Sequence, residues 1–115
     1  MPHEAIKVRE VEGSKDGHRI LKLGGALTLE SLFPFQEAVR AQKAPVLILD
    51  LIDVTFVDSA GVGALVGACV SYQKDGRKLA LVGVNERVKA SLSILSLAKF
   101  FPQYPSVEAA ESALA

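Results

Sequence analysis

The run Val46-Leu47-Ile48-Leu49-Asp50-Leu51-Ile52 is apolar at every position but one, and it limits the fold more than any other feature of the chain. A strand with one wet face alternates apolar and polar residues. A strand covered on both faces does not, and such strands lie inside sheets that carry helices. Parallel neighbours of such a strand need long crossovers, usually helical. The run therefore predicts the central strand of an α/β sheet.

The flanking sequence supplies the other parts. Ala5 to Val11 sets Ile6, Val8 and Val11 against Lys7, Arg9 and Glu10, the alternation of a half-exposed strand. Gly13-Ser14-Lys15-Asp16-Gly17 is turn chemistry and Arg19 to Leu23 a second strand, so a hairpin is expected, ended by Gly24-Gly25. Phe35, Ala38, Val39 and Gln42 recur at helical spacing, with Pro34 in the first turn and Thr28 or Ser31 as caps. After the central strand and Asp53 to Val57, Val62, Leu65, Val66, Cys69 and Val70 form the apolar stripe of a helix closed by Asp75-Gly76. Lys78 to Val84 reads as a strand, and Asn85 caps a helix carrying Val88, Leu92 and Leu95. Phe100 to Pro105 is too proline-rich for anything but an edge strand or loop, and Ser106 caps a last helix through Leu114. The predicted architecture is one α/β domain over residues 1–115. Its mixed sheet has four or five strands, the first at an edge and Val46–Ile52 central, with helices packed mainly on one face.

Composition narrows the function. Half of the 115 residues are apolar (50 %), enough for one core. Thirteen basic residues balance 13 acidic ones and are scattered, so no footprint for nucleic acid emerges. The single Cys69 excludes an internal disulfide or a Cys-rich zinc site, and on its apolar stripe it reads as a buried, inert thiol. Asp50 and Asp53 lack a matching ligand set and read as strand-end and turn residues. Met1-Pro2-His3-Glu4 has no signal-peptide character, and no apolar run reaches the roughly 18 residues that span a bilayer. The expectation is a cytoplasmic protein without metal, cofactor, nucleic-acid binding or membrane insertion.

Chemistry concentrates in Val57-Asp58-Ser59-Ala60-Gly61-Val62-Gly63, where a buried strand runs into a helix. Ser59 stands at the expected N-cap with Asp58 beside it. A hydroxyl there can cap the helix, attack as a nucleophile or accept a phosphoryl group. Capping is the simplest role, worth about 1 kcal/mol. The hydrolase elbow Gly-x-Ser-x-Gly has Val57 at its first glycine position, and the available bases, His3 and His18, are expected far away. Gly61-x-Gly63 with Gly67 matches a dinucleotide fingerprint only in part, and no P-loop lysine accompanies it. Gly63 and Gly67, one turn apart, read more simply as a close approach of helix to sheet.

Several ordered segments together resemble the STAS domain of bacterial anti-sigma factor antagonists, over nearly the whole chain. They are Leu23-Gly24-Gly25-Ala26-Leu27, the strand Val46 to Leu51, Val54 through Leu65, Asp75-Gly76-Arg77, Leu79 to Gly83 and Leu95 to Pro102. The resemblance implies that Ser59 is phosphorylated by a partner, an ATP-dependent serine kinase that doubles as the anti-sigma factor. The unphosphorylated antagonist would bind that kinase and free the sigma factor, and a PP2C-type phosphatase would reset the switch. Asp58, Ser59, Ala60, Gly61 and Thr28 would contact the partner, Thr28 standing where many members carry Asp. No catalytic residue is implied. The alternative is a STAS subunit of a stress-sensing complex or of a lipid-transport ATPase. A phosphate on Ser59 would add about −1.5 to −2 charges where a helix N-terminus favours anions, so the switch is expected to act at the interface and leave the fold intact.

Overall fold

The computed structural model describes residues 6–94 and 102–114. The elements are β1 (Lys7–Glu12), β2 (His18–Leu27), α1 (Leu32–Ala41), β3 (Val46–Val57), α2 (Ser59–Lys74), β4 (Lys78–Val82), α3 (Glu86–Ile94), β5 (Gln103–Tyr104) and α4 (Val107–Leu114). The sheet order is β1-β2-β3-β4-β5, with β1 antiparallel to β2 and every other pair parallel. The central apolar strand and the edge position of β1 match expectation, and the proline-rich segment supplies β5 at the other edge. Leu95, Phe100 and Phe101 lie outside the described residues.

The apolar run is explained by burial on both faces. Leu47, Leu49 and Leu51 enter the larger core with Leu32, Phe35 and Val39 of α1, Val62, Leu65 and Tyr72 of α2, and Val88 of α3. Val46 and Ile48 point the other way and join Ile20 and Val82 beneath Ala110 of α4. Helices α1, α2 and α3 thus share one face, and α4 packs on the other, over the first halves of β2 and β3 and the short strands β4 and β5. Asn85 caps α3 by accepting from the Val88 N–H at 2.9 Å, and Ser106 caps α4 by accepting from Ala109 at 3.1 Å.

Strand β3 runs five residues past the predicted end at Ile52. Opposite β2, the register steps from Lys22↔Asp50 to Gly24↔Asp53 and from Gly25↔Val54 to Ala26↔Phe56. Each step inserts one extra residue in β3, so two bulges follow one another. They replace the period of two by a period of three: Leu51, Val54 and Val57 are buried, while Ile52, Asp53, Thr55 and Phe56 are exposed. Gly24-Gly25 therefore does not end β2 as expected. Gly25 takes φ 93°, a left-handed conformation natural to glycine, and pairing continues to Leu27. Nor is Asp50 a strand-end residue. It is buried within β3, and its carboxylate accepts from the Ile52 N–H at 3.1 Å, satisfying a donor at the first bulge. Asp53 is an exposed residue of the same strand and not a turn.

Two further expectations are corrected. Strand β4 stops at Val82, because Gly83 turns the chain at φ 70° where any Cβ would run into Ile52. On α2, Val70 is exposed and Val66 half-buried, so the buried stripe runs instead through Gly61, Val62, Leu65, Ala68, Cys69 and Tyr72. Among the described residues, no helix is long and apolar enough to cross a membrane.

Candidate functional site: the Asp58–Gly61 turn

At the end of β3 the chain is still extended at Asp58 (φ −90°, ψ −176°), whose N–H donates to the Leu27 carbonyl at 3.2 Å. Helix α2 begins at the next residue. Its first N–H groups lack intrahelical acceptors. Asp58, and not Ser59, supplies the cap: Oδ1 accepts from the Gly61 N–H at 2.8 Å. The other oxygen, Oδ2, accepts from the Leu29 N–H at 3.1 Å. One carboxylate therefore brackets α2 to the loop between β2 and α1. Its charge also sits at the positive end of the helix dipole.

This shift of the cap by one residue leaves Ser59 at the first helical position. Ser59 is exposed, and its hydroxyl makes no hydrogen bond to any described residue. Ala60 is half-buried at the mouth of a cleft between α1 and α2, lined by Phe35, Val39, Gly63 and Gly67. Gly61 is buried. A Cβ there would strike the Leu27 carbonyl oxygen and lie 2.8 Å from Val57 Cγ1. The close approach expected of Gly63 and Gly67 thus belongs to Gly61, since nothing lies within 4 Å of a Cβ at either of the other two.

Thr28 is only 2 % exposed. Its N–H donates to Ser31 Oγ at 3.0 Å, its hydroxyl lies 3.2 Å from the same atom, and Ser31 Oγ donates to the Ala26 carbonyl at 2.6 Å. Ser31 flanks α1 without capping it through its side chain. The Thr28–Ser31 turn instead presents the Leu29 N–H to Asp58. Beside it stand Leu29 and Phe33, 67 % and 66 % exposed, which sequence reasoning passed over. Phe33 carried a signal, being out of phase with the buried Leu32, Phe35 and Val39 of its helix.

No imidazole adjoins Ser59 among the described residues. His18 opens β2 at the end away from Leu27, roughly 30 Å along the strand at about 3.3 Å per residue. There its Nδ1 lies 3.7 Å from Glu111 Oε1 of α4. His3 lies outside the described residues. Cys69 is buried, and burial pushes its thiol up, which disfavours the nucleophilic thiolate. Among the described residues no group of three or more His, Cys, Asp or Glu could hold a metal ion. The turn presents an exposed hydroxyl, a carboxylate already engaged by two N–H groups, and the positive N-terminal end of a 16-residue helix. That set suits acceptance of an anionic group better than nucleophilic attack.

Residues 9–110 match the family model of the STAS domain, and the chain belongs to that family. Among solved structures it is similar to an anti-sigma factor antagonist from Mycobacterium paratuberculosis (TM-score 0.81, 23 % identity, 96 % of this chain and 94 % of that one). It is also similar to the Bacillus cell fate determinant SpoIIAA in its phosphorylated form (TM-score 0.69, 15 % identity, 95 % and 99 %). A third likeness is to the murine anion transporter Slc26a9 (TM-score 0.75, 20 % identity), covering 96 % of this chain but 22 % of the transporter. At these identities the likeness is one of fold. No curated protein matches the chain.

Proposed function

We propose that the chain is an anti-sigma factor antagonist whose partner affinity is switched by phosphorylation of Ser59. The unmodified form binds an anti-sigma serine kinase and releases a sigma factor; the phosphorylated form does not, and a PP2C-type phosphatase restores it. In this reading the protein is a cytoplasmic binding switch and not an enzyme. The observation that carries it is the release of Ser59 from capping: Asp58 holds the helix end, so the neighbouring hydroxyl is exposed and can be modified without loss of the cap. Antagonists of known structure with the same fold, one of them a phosphorylated form, support the assignment.

The proposed contact surface centres on Ser59, with Asp58 and Ala60 beside it. Leu29 and Phe33 add an exposed apolar shoulder of the kind that anchors interfaces. Thr28 and Gly61 serve this surface from beneath, by shaping the turn. Phosphate beside the Asp58 carboxylate would repel a partner surface fitted to a neutral hydroxyl.

The test is affinity capture from the native organism, with the unmodified chain and Ser59→Asp as baits. Recovery of an ATP-dependent serine kinase by the first bait alone supports the proposal; equal recovery by both overturns it. The fold's occurrence within a transporter keeps a second reading in view, a STAS subunit of a transport ATPase or stress-sensing complex. Recovery of a transport ATPase or of STAS-containing assembly subunits would favour that reading.

A further inference from the structure

The sheet face opposite the larger core is covered by α4 over the first halves of β2 and β3 and over the short strands β4 and β5. Among the described residues the later halves of β2 and β3 expose Lys22, Ile52, Asp53, Thr55 and Phe56, and the β1–β2 hairpin has sorted its charges across the two faces. Val8 packs on the larger core and Val11 on the smaller one, so Lys7 and Arg9 share the face of Val11. Lys22 lies directly opposite Arg9 in the antiparallel register. Like charges in that position are destabilising. Among the described residues none of Lys7, Arg9 and Lys22 has an ion pair, whereas Arg19, on the other face, lies 3.5 Å from Glu10 and 3.7 Å from Glu12. The three cations line one shallow cavity with Asp53. Beyond it the bulges of β3 expose Ile52 (58 %) and Phe56 (37 %).

We propose that this patch is a second partner surface, separate from Ser59, which docks an acidic amphipathic segment of a partner protein. Carboxylates of the segment lie over Lys7, Arg9 and Lys22, relieving the opposed positive charges, and its apolar side chains rest on Ile52 and Phe56. Three features favour a peptide over a lipid surface or a free anion. Asp53 lies among the cations and would repel a continuous layer of anionic headgroups. The apolar residues lie beside the charges, as an alternating segment requires. The adjoining strand β1 is an edge of the sheet, and among the described residues no strand pairs with its outer side, where an extended chain can add.

The probe is a short synthetic peptide alternating Glu and Leu, titrated into the isotopically labelled protein and followed by amide shifts. Parallel titrations use a Ser/Leu peptide, inorganic phosphate and phosphatidylglycerol vesicles. Shifts at residues 7–9, 22, 52 and 56, with affinity about tenfold weaker in Lys7→Glu/Arg9→Glu/Lys22→Glu and weakened also in Lys22→Gln, support the proposal. Because these side chains are exposed, both variants should stay folded, which circular dichroism checks; if the triple variant unfolds, Lys22→Gln decides. Unchanged affinity in a folded variant, equal binding of the Ser/Leu peptide, or binding of vesicles or phosphate without the peptide would overturn it. Ser59→Asp should bind the peptide like the unmodified chain, so this surface stands or falls apart from the phosphorylation switch.

Discussion

Asp58 caps α2 and leaves the Ser59 hydroxyl exposed, a division that local sequence chemistry, which placed the cap at Ser59, did not show. From sequence, the first hydroxyl before a helical pattern is a natural cap. What tips the balance to Asp58 is Leu29, 29 positions earlier, whose N–H takes the second carboxylate oxygen. Such a long-range partner leaves no local trace. The division predicts unequal costs: Asp58→Ala should lose about 1–2 kcal/mol of stability, while Ser59→Ala should stay within about 0.5 kcal/mol of the parent. Urea melts of the two variants measure both; equal losses would return the cap to Ser59. A second contrast concerns the glycines. Gly61→Ala drives a Cβ into the Leu27 carbonyl and should destabilise by about 1–3 kcal/mol. Gly63→Ala and Gly67→Ala, with open space at their Cβ positions, should be neutral or stabilising by up to about 1 kcal/mol. A reversed order in thermal melts would contradict the packing of α2 on β2.

At the scale of elements, the central strand was legible because burial on both faces writes itself as an uninterrupted apolar run. Its second half was not. A bulge is a relation between two strands, so the sequence Ile52-Asp53-Val54-Thr55-Phe56 shows only a broken alternation until the register with Gly24, Gly25 and Ala26 is known. The short helices at Asn85 and Ser106 were legible from their caps. The seat of α4 was not, because it depends on side chains 97 positions apart: Ser14 donates to Glu111 through its N–H at 2.8 Å and also through its hydroxyl. Burial pushes the Glu111 carboxyl up, but the Ser14 hydrogen bonds, with His18 and Lys15, outweigh it and hold the group below its usual value. A carboxyl lowered in the folded state contributes stability above its unfolded pKa and loses it as pH falls through the folded value. Glu111→Gln should therefore be less stable than the parent at neutral pH and converge on it in acid, once the folded carboxyl is itself protonated. Denaturant melts at the two pH values check this; a gap that persists in acid would assign the loss to packing alone.

For the whole molecule, the formal net charge of +0 conceals a polarity of surfaces. Asp58 and Ser59 crown one end of β3, while Lys7, Arg9 and Lys22 lie on the open sheet face. A phosphate on Ser59 meets a helix N-terminus that accommodates it, so melting temperatures of the two forms should differ by only a few degrees. The change is expected in what the surface binds. The most direct measurement is calorimetry of the captured serine kinase against the unmodified chain and the form phosphorylated at Ser59. The account predicts tight binding of the first, affinity for the second lower by about tenfold or more, and closely similar melts. Equal affinities, or a phosphate mapped to a residue other than Ser59, would contradict it.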